Sequence, residues 1–144
     1  MSLASTHNSE GYFSPTEFEV MKKIESEERK ARRLAAFCPL VYICSPYRGN
    51  TNENIENARK YSRFAVRHHS IPFAPYLFFP QFMDDTLGEE RQTAMFMNYV
   101  MLTKCVELWV FCDHISEGMA QEIKWVKRRH MPIRYFTEDM EEVL

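Results

Sequence analysis

The sequence predicts an α/β protein, built as a three-layer sandwich in which helices cover both faces of a small parallel sheet. From Pro39 onward, short apolar runs of strand length alternate with longer segments of helical periodicity, the order produced when crossover helices join parallel strands. The two most apolar runs are continuous rather than alternating, which is typical of strands buried on both faces. With 144 residues, 45% of them hydrophobic, the chain is long enough to enclose one core.

The first 38 residues precede this alternation, and we expect them to form a polar tail and an accessory helix. Ser14-Pro15-Thr16-Glu17 combines an N-cap serine, a proline at the first helical position and a glutamate that completes a capping box. The helix that follows carries a thin apolar stripe, made of Phe18, Met21, Ile24, Ala31 and Leu34. We expect it to lie on the domain or on a partner subunit, and we assign the domain itself to residues 39–144.

Four strands and three helices are expected after Pro39. The predicted strands are 40–44, 71–74, 106–112 and 132–136, and the predicted helices are 51–69, 86–104 and 116–130. A proline within 71–74 favours an edge position, whereas 40–44 and 106–112 are the most apolar strands and therefore central. The strand order 2-1-3-4 follows, with helix 86–104 as the crossover. This is a flavodoxin-like or Rossmann-like architecture.

Charge and cysteine content narrow the classes of function. Eighteen basic and twenty acidic residues nearly cancel, so no nucleic-acid polymer and no membrane surface is implied as a partner. The four cysteines show no metal-binding spacing, and three lie in or beside apolar runs, which favours reduced thiols in the cytoplasm. No apolar stretch is long enough to span a bilayer. We therefore expect a cytoplasmic protein without a metal or a cofactor.

Two loops are predicted to meet at the carboxyl ends of the central strands, where sheets of this kind bind their ligands. The candidate binding residues in these loops are Ser45, Tyr47, Arg48 and Gly49 in the first and Asp113, Ser116 and Gly118 in the second. Ser116 can also cap the helix that follows it. Topology alone thus gathers Arg48, Ser116 and the nearby Glu122 into one crevice.

Glu122 borders the inward face of the helix at 116–130. That face is formed by Met119, Ile123, Val126 and His130, which recur at helical spacing. A carboxylate on the core side of a helix costs stability unless something there uses it. The alternative is a carboxylate that snorkels to solvent or meets an arginine. The sequence around Glu122 supports these two interpretations equally.

Two motifs, read together, resemble the nucleoside 2-deoxyribosyltransferase superfamily. They are Tyr42-Ile43-Cys44-Ser45-Pro46-Tyr47-Arg48-Gly49 and Ser116-x-Gly118-x-x-x-Glu122. The resemblance covers about residues 39–136. It extends to the branch that includes the deoxynucleoside 5′-monophosphate N-glycosidase, and to bacterial and phage-borne members with the pattern S-P-Y-R-G…E-L-W-V-F…I-S-x-G-M-x-x-E-I.

The resemblance implies a nucleoside or nucleotide as the ligand and chemistry at its N-glycosidic bond. Glu122 would be the nucleophile that attacks C1′, and Tyr42 would hold this nucleophile or the sugar. Arg48 and Ser116 would hold a 5′-phosphate. Asn98 occupies the position at which the family has an aspartate that assists the leaving base, and an amide cannot donate a carboxylic acid proton.

Three neighbouring acids, Asp84, Asp85 and Glu90, are candidates to replace that aspartate, although their spacing does not single one out. Asp113 either faces the base or simply ends its strand. Family members add a further segment to a neighbour's site, and this chain ends soon after Phe136, so we expect that contribution to be missing. The accessory helix and the aromatic loop from Tyr76 to Phe82 would leave apolar surface uncovered, which predicts a homodimer or a higher homo-oligomer.

Three functions remain compatible with the sequence. The first is an enzyme of the N-glycosidic bond, either a hydrolase or a deoxyribosyltransferase. The second is a non-catalytic nucleotide-binding module that acts as a sensor or an accessory protein. The third is an interaction protein that works through the accessory helix and the aromatic loop.

Overall fold

The computed structural model describes residues 15–144, apart from the side chains of residues 15 and 33–37. The chain divides into two units, Met1–Phe37 and Cys38–Leu144. The described part of the first unit is helix α1 (Pro15–Phe37). The predicted tail at residues 1–13, the N-cap at Ser14 and the Leu34 side chain lie outside the described residues. The assignment of the domain to residues 39–144 stays a prediction.

The second unit contains five strands, three helices and two short 3₁₀ turns. The strands are β1 (Leu40–Cys44), β2 (Ile71–Phe73), β3 (Glu107–Phe111), β4 (Ile133–Phe136) and β5 (Glu142–Val143). The helices are α2 (Thr51–Arg67), α3 (Gly88–Lys104) and α4 (Glu117–Arg128). The 3₁₀ turns, Pro75–Leu77 and Phe79–Gln81, lie between β2 and α3.

The strands form one sheet in the order β2-β1-β3-β4-β5. The pairs among β1 to β4 are parallel, as predicted, and the predicted order of these four strands is confirmed. Strand β5 was not predicted, because two residues are too short to show a period. It pairs antiparallel with β4, and Arg134 and Glu142 join the two strands by two side-chain hydrogen bonds of 2.8 and 2.7 Å.

Both faces of the sheet are covered, which confirms the predicted three-layer sandwich. On one face the core consists mainly of Val41, Ile43, Trp109 and Phe111 from the strands with Tyr61 and Ala65 from α2. On the other face it consists mainly of Tyr42, Cys44, Leu108 and Val110 with Leu102 from α3 and Met119 and Val126 from α4. Successive strand residues point to opposite faces, so the continuous apolar runs supply both cores.

The start of α3 differs from the prediction. The helix begins at Gly88, and its N-cap residue Leu87 makes no capping hydrogen bond from its side chain. Thr86 is held instead by Asp84, whose Oδ1 accepts from the Thr86 backbone N–H at 3.0 Å and from its hydroxyl at 2.6 Å. An aspartate that accepts from the residue two positions later forms a local turn. This turn replaces the predicted capping box at Thr86.

Candidate functional site

Glu122 lies inside the buried face of α4, together with Met119 and Val126. The residue is only 2% exposed, whereas the sequence pattern placed it at the border of this face. It does not snorkel to solvent, and it forms no ion pair with any arginine whose side chain the structure describes. The structure therefore leaves Glu122 as a buried carboxyl without a countercharge.

The atoms around the Glu122 carboxyl come from the end of β1. Its Oε1 lies 4.0 Å from the thiol of Cys44. The nearby hydroxyl of Tyr42 lowers the pKa of Glu122. Its contact with Glu122 is not a well-formed hydrogen bond, since neither Tyr42 Oη nor Glu122 Oε2 has a hydrogen-bond partner among the described residues. Burial is the larger effect and raises the pKa of Glu122 to about 8. The carboxyl is therefore protonated at neutral pH in this conformation.

A cavity of about 470 Å³, which we call the main cavity, opens beside the first turn of α4. The predicted site residues in its wall are Tyr47, Arg48, Asn98, Ser116 and Gly118. They come from the loop after β1, from α3 and from the start of α4. The parallel strands end at the same edge of the sheet, which brings these loops together.

Glu122 and Tyr42 do not belong to the wall of the main cavity. We expected Glu122 to share one crevice with Arg48 and Ser116, and this expectation is not met in the conformation described. The physical reason is that Glu122 points into the core between α4 and β1, where Tyr42 is fully buried and Ser45 is 2% exposed. The roles assigned to these residues stay predictions.

Gly49 and Asp113 are also absent from the wall. Gly49 has a φ of 94°, a conformation that glycine adopts readily because it has no Cβ. It lines a separate outer cavity. Asp113 is exposed and lines none of the described cavities. Its charge acts on Tyr61 of α2, whose pKa is raised to about 12, mainly by burial and then by Cys112 and nearby acids. Asp113 is therefore an exposed residue after β3 that lies outside the main cavity.

The outer cavity has a volume of about 530 Å³ and adjoins the main one. Both cavities share Tyr47, Arg48, Asp85 and Arg91. The guanidinium of Arg48 lies 3.4 Å from the Asp85 carboxylate, and its side chain is 56% exposed. A long, exposed ion pair of this kind is weak. Arg48 is therefore available to an anionic ligand in either cavity.

Ser116 caps α4 as predicted, since its hydroxyl accepts a hydrogen bond of 3.3 Å from the Met119 backbone N–H. The first turn of a helix presents further backbone N–H groups and the positive end of the helix dipole. Ser116, Glu117 and Gly118 all line the main cavity. This helix start can receive an anionic group, although Glu117 places a negative charge beside it.

Asn98 is buried in the wall of the main cavity, with 4% of its surface exposed. Its Oδ1 has no hydrogen-bond partner among the described residues. Buried polar atoms are almost always paired, so an unpaired one at a cavity points to a missing ligand or solvent contact. Asn98 can accept a hydrogen bond from a ligand here, but it cannot protonate one.

Several residues of the wall were not predicted as site residues. The most informative is Tyr76, which belongs to the aromatic loop that the sequence favours as loop core or subunit interface, with base stacking as the alternative. Its ring stacks on Tyr47 with centroids 4.5 Å apart and an angle of 13°. Burial raises the pKa of Tyr76, and Glu122 and then Cys44 raise it further, whereas Arg48 lowers it. Tyr76 therefore lies close to both the cavity and the buried carboxyl.

Helical spacing could have identified two more wall residues. Arg91 and Gln121 both line the main cavity. Arg91 precedes Asn98 by two helical turns, and Gln121 follows Gly118 by one, so each shares a helix face with a residue that was predicted. Tyr76 has no such signal, because it lies in a 3₁₀ turn far from both motifs.

The described residues hold no group of three or more side chains suited to a metal ion. Within residues 15–144, no helix combines the length and the apolar content that crossing a membrane requires. The cysteines in this part of the chain form no disulfide.

Comparison with known structures supports the fold. The protein is similar to the 2-deoxyribosyltransferase from the psychrotolerant bacterium Bacillus psychrosaccharolyticus, with a TM-score of 0.59 and 15% identity over 73% of this chain and 76% of that chain. It also matches the 2-deoxyribosyltransferase from Leishmania mexicana, with a TM-score of 0.49 and 13% identity over 69% and 64% of the two chains. At such identities the likeness establishes the fold alone. The predicted fold class is confirmed, and the resemblance to the superfamily is confirmed at the level of the fold.

The sequence itself matches one family across most of its length. No curated protein matches it. Residues 39–136 match the family described as a domain of unknown function (DUF7768). This range includes β1 to β4, the main cavity and both motifs. The chain therefore belongs to the DUF7768 family.

Proposed function

We propose that this protein cleaves or transfers at the N-glycosidic bond of a (deoxy)nucleoside or a nucleoside 5′-monophosphate, with Glu122 as the nucleophile. The observation that carries the proposal is the buried Glu122 carboxyl, which has no countercharge among the described side chains and lies on the helix whose first turn lines a cavity at the carboxyl edge of the sheet. Such a carboxyl costs folding free energy, and strongly perturbed groups cluster at functional sites. The 2-deoxyribosyltransferase fold adds support by analogy.

The main cavity offers a contact for each part of a nucleotide. The ring of Tyr47, on which Tyr76 stacks in this structure, offers an aromatic surface for a base. The start of α4 at Ser116 and the guanidinium of Arg48 suit a 5′-phosphate. A volume of about 470 Å³ lies within the range of small-molecule sites. We therefore place the sugar between these contacts, on the Glu122 side.

The proposed reaction begins when a Glu122 oxygen attacks C1′. A new C–O bond forms, the N-glycosidic C–N bond breaks, and its electron pair leaves with the base. Water or a second base then attacks C1′, the C–O bond to Glu122 breaks, and its electron pair returns to the carboxylate; when water attacks, its proton passes to solvent. The carboxyl must ionise before the first step, so we expect kcat/KM, which reports the ionisation of the free protein, to rise with pH through a pKa of about 8.

Protonation of the leaving base is the weaker part of this site. Asn98 lies at the cavity wall, where it can form a hydrogen bond to the base without supplying a proton. Of the three acids that the sequence offered as replacements, Asp85 lines the main cavity, whereas Asp84 and Glu90 do not. Asp85 is therefore our candidate for the replacement acid, and it also lies 3.4 Å from the Arg48 guanidinium.

A non-catalytic nucleotide-binding module is the second candidate. The 2% exposure of Glu122 and the amide at Asn98 both favour it. A carboxyl that stays buried and protonated cannot attack C1′. In that case the same cavity would bind a nucleotide and transmit its presence without breaking a bond.

Covalent trapping distinguishes the two candidates. A 2-fluoro-deoxyribosyl nucleoside destabilises positive charge at C1′, so a glycosyl-enzyme intermediate should accumulate on Glu122 and appear as a mass increase on its peptide. The 5′-monophosphate of this nucleoside is tested in parallel, and Glu122→Gln, which should show no adduct, is the control. Binding of the probe by calorimetry without any adduct would instead support the binding module.

A further inference from the structure

Tyr76 lies against both the main cavity and the Glu122 environment. It forms part of the cavity wall, where it stacks on Tyr47. Its hydroxyl lies 3.2 Å from the position that a Cβ at Gly118 would occupy. Gly118 precedes Glu122 by one turn on α4, so the two residues share a helix face. The Tyr76 hydroxyl therefore reaches over the side of α4 that carries Glu122.

The effects of neighbouring charges on the pKa of Tyr76 agree with this placement. Among the charged neighbours of Tyr76, Glu122 has the largest effect on its pKa. Tyr42, which contacts Glu122 from β1, is in turn affected by Tyr76. Tyr42 and Tyr76, from different elements, thus both respond to the charge of the same carboxyl. Tyr42 is fully buried, whereas Tyr76 is the one that also borders the main cavity.

We propose that the ring of Tyr76 is a cover over Glu122, and that a ligand in the main cavity reaches the carboxyl only after this ring turns away. Tyr76 is then a positioning residue that controls access to the nucleophile. The catalytic consequence of this cover rests on the proposed function, whereas the cover itself does not. A base that stacks on Tyr47 would take the place of the Tyr76 ring and so couple binding to the exposure of Glu122.

The cover also explains why the Glu122 carboxyl is shielded from water. The titratable groups whose pKa values are raised by the charge of Glu122 are Tyr42 and Cys44 from β1 and Tyr76 from the 3₁₀ turn Pro75–Leu77. None of them carries a positive charge that would stabilise the carboxylate. Removal of the Tyr76 ring should admit water from the cavity, and water stabilises the charged form. Tyr76 thus keeps Glu122 neutral until the cavity is occupied.

The test is a titration of the Glu122 side chain by carboxyl ¹³C NMR in the whole protein without substrate. The Glu122 carboxyl resonance is identified as the one that is lost in Glu122→Gln. We expect Tyr76→Ala to lower the midpoint by at least about one pH unit, a tenfold change in the acid dissociation constant. Tyr76→Phe keeps the ring and is the matched control, with a midpoint close to that of the wild type. An unchanged midpoint in folded Tyr76→Ala would overturn the proposal.

A second variant is used if Tyr76→Ala does not fold. Tyr76→Leu keeps an apolar side chain but loses the planar ring, and we expect a shift in the same direction of smaller size. Near-ultraviolet circular dichroism establishes that each variant is folded before titration. An unchanged midpoint in folded Tyr76→Leu would likewise overturn the cover. A shifted midpoint together with failed covalent trapping would retain the cover and reject the proposed glycosidic chemistry.

Discussion

The thiol of Cys44, at the end of β1, lies 4.0 Å from Oε1 of Glu122 on α4. The same sulfur lies 3.9 Å from the backbone oxygen of Met119, and burial raises the pKa of Cys44 well above its usual range. The thiol is therefore neutral and acts as a weak donor. The Glu122 side chain therefore lies at the C-terminal end of a central strand, where sheets of this type bind their ligands.

The stability of the protein should fall as pH rises from about 4.5 to about 8. In this range the folded state keeps a proton on Glu122 that the unfolded chain releases, because the folded pKa of Glu122 is raised. One such proton corresponds to a loss of about 1.4 kcal/mol per pH unit. Urea unfolding at about pH 5 and about pH 8 measures the difference.

Glu122→Gln should remove most of this pH dependence, since the amide stays neutral at both pH values. Glu89→Gln, which changes an exposed glutamate in the first turn of α3, is the control and should retain the dependence of the wild type. Equal pH profiles for Glu122→Gln and the wild type would show that the carboxyl ionises freely in the folded state.

Asn98→Asp should increase the release of base from deoxynucleoside monophosphates. A carboxyl at this buried position would have a raised pKa and so hold a proton for the leaving base. General acid assistance is typically worth about 10²–10⁴-fold, and a partly misplaced acid should still give a measurable gain. Single-turnover release, followed by chromatography, measures the rate.

The gain should disappear in the double variant Asn98→Asp with Glu122→Gln, because protonation of the base achieves little without a nucleophile. Asn98→Ala is the matched control, since it changes the same position without supplying an acid. Tight nucleotide binding without base release, in both the wild type and Asn98→Asp, would favour the binding module.

Arg48→Ala should weaken the binding of a nucleoside 5′-monophosphate by about 1.5–3 kcal/mol, the usual contribution of a charge-assisted hydrogen bond. Nucleoside binding should change little, because the contact is to the phosphate. Calorimetry with both ligands measures this. Arg59→Ala, an exposed arginine on α2 that pairs with Glu56, is the control. Equal losses for nucleoside and nucleotide would make Arg48 a structural residue.

Asp85→Asn should have the opposite effect on the monophosphate. It removes the carboxylate that lies 3.4 Å from Arg48, so the guanidinium no longer divides its interaction between Asp85 and the phosphate. We expect tighter monophosphate binding, measured by the same calorimetry, and the gain should vanish when Arg48→Ala is added. Weaker binding in Asp85→Asn would indicate that Asp85 instead positions Arg48.

The protein should form at least a dimer at micromolar concentration. Phe96 is 66% exposed and Phe78 is 51% exposed, and both border an apolar cavity of about 780 Å³. Apolar surface of this kind favours association. Phe96→Asp should shift the protein toward the monomer in light scattering after gel filtration, whereas Phe96→Leu should not. A monomeric wild type across this concentration range would refute the prediction.

The order of the parallel sheet was predictable because local pattern determines it. The runs at Val41–Cys44 and Leu108–Phe111 are apolar at every position, and only a strand covered on both faces can bury such a run. Pro72 likewise placed β2 at the edge, because proline has no backbone N–H to donate to a neighbouring strand. Strand β5 was missed because two residues carry no period.

The candidate site was predictable only in part, because loops that follow neighbouring strands must meet but need not expose the same side chains. Tyr47, Arg48, Asn98 and Ser116 reach the main cavity as the topology requires. The depth of Glu122 was decided by the tertiary structure, since it depends on Cys44 and Tyr42 in β1. The approach of Tyr76 to Gly118 joins segments about 40 residues apart. Helical periodicity assigns a residue to a face, whereas burial and pKa depend on which distant side chains cover that face.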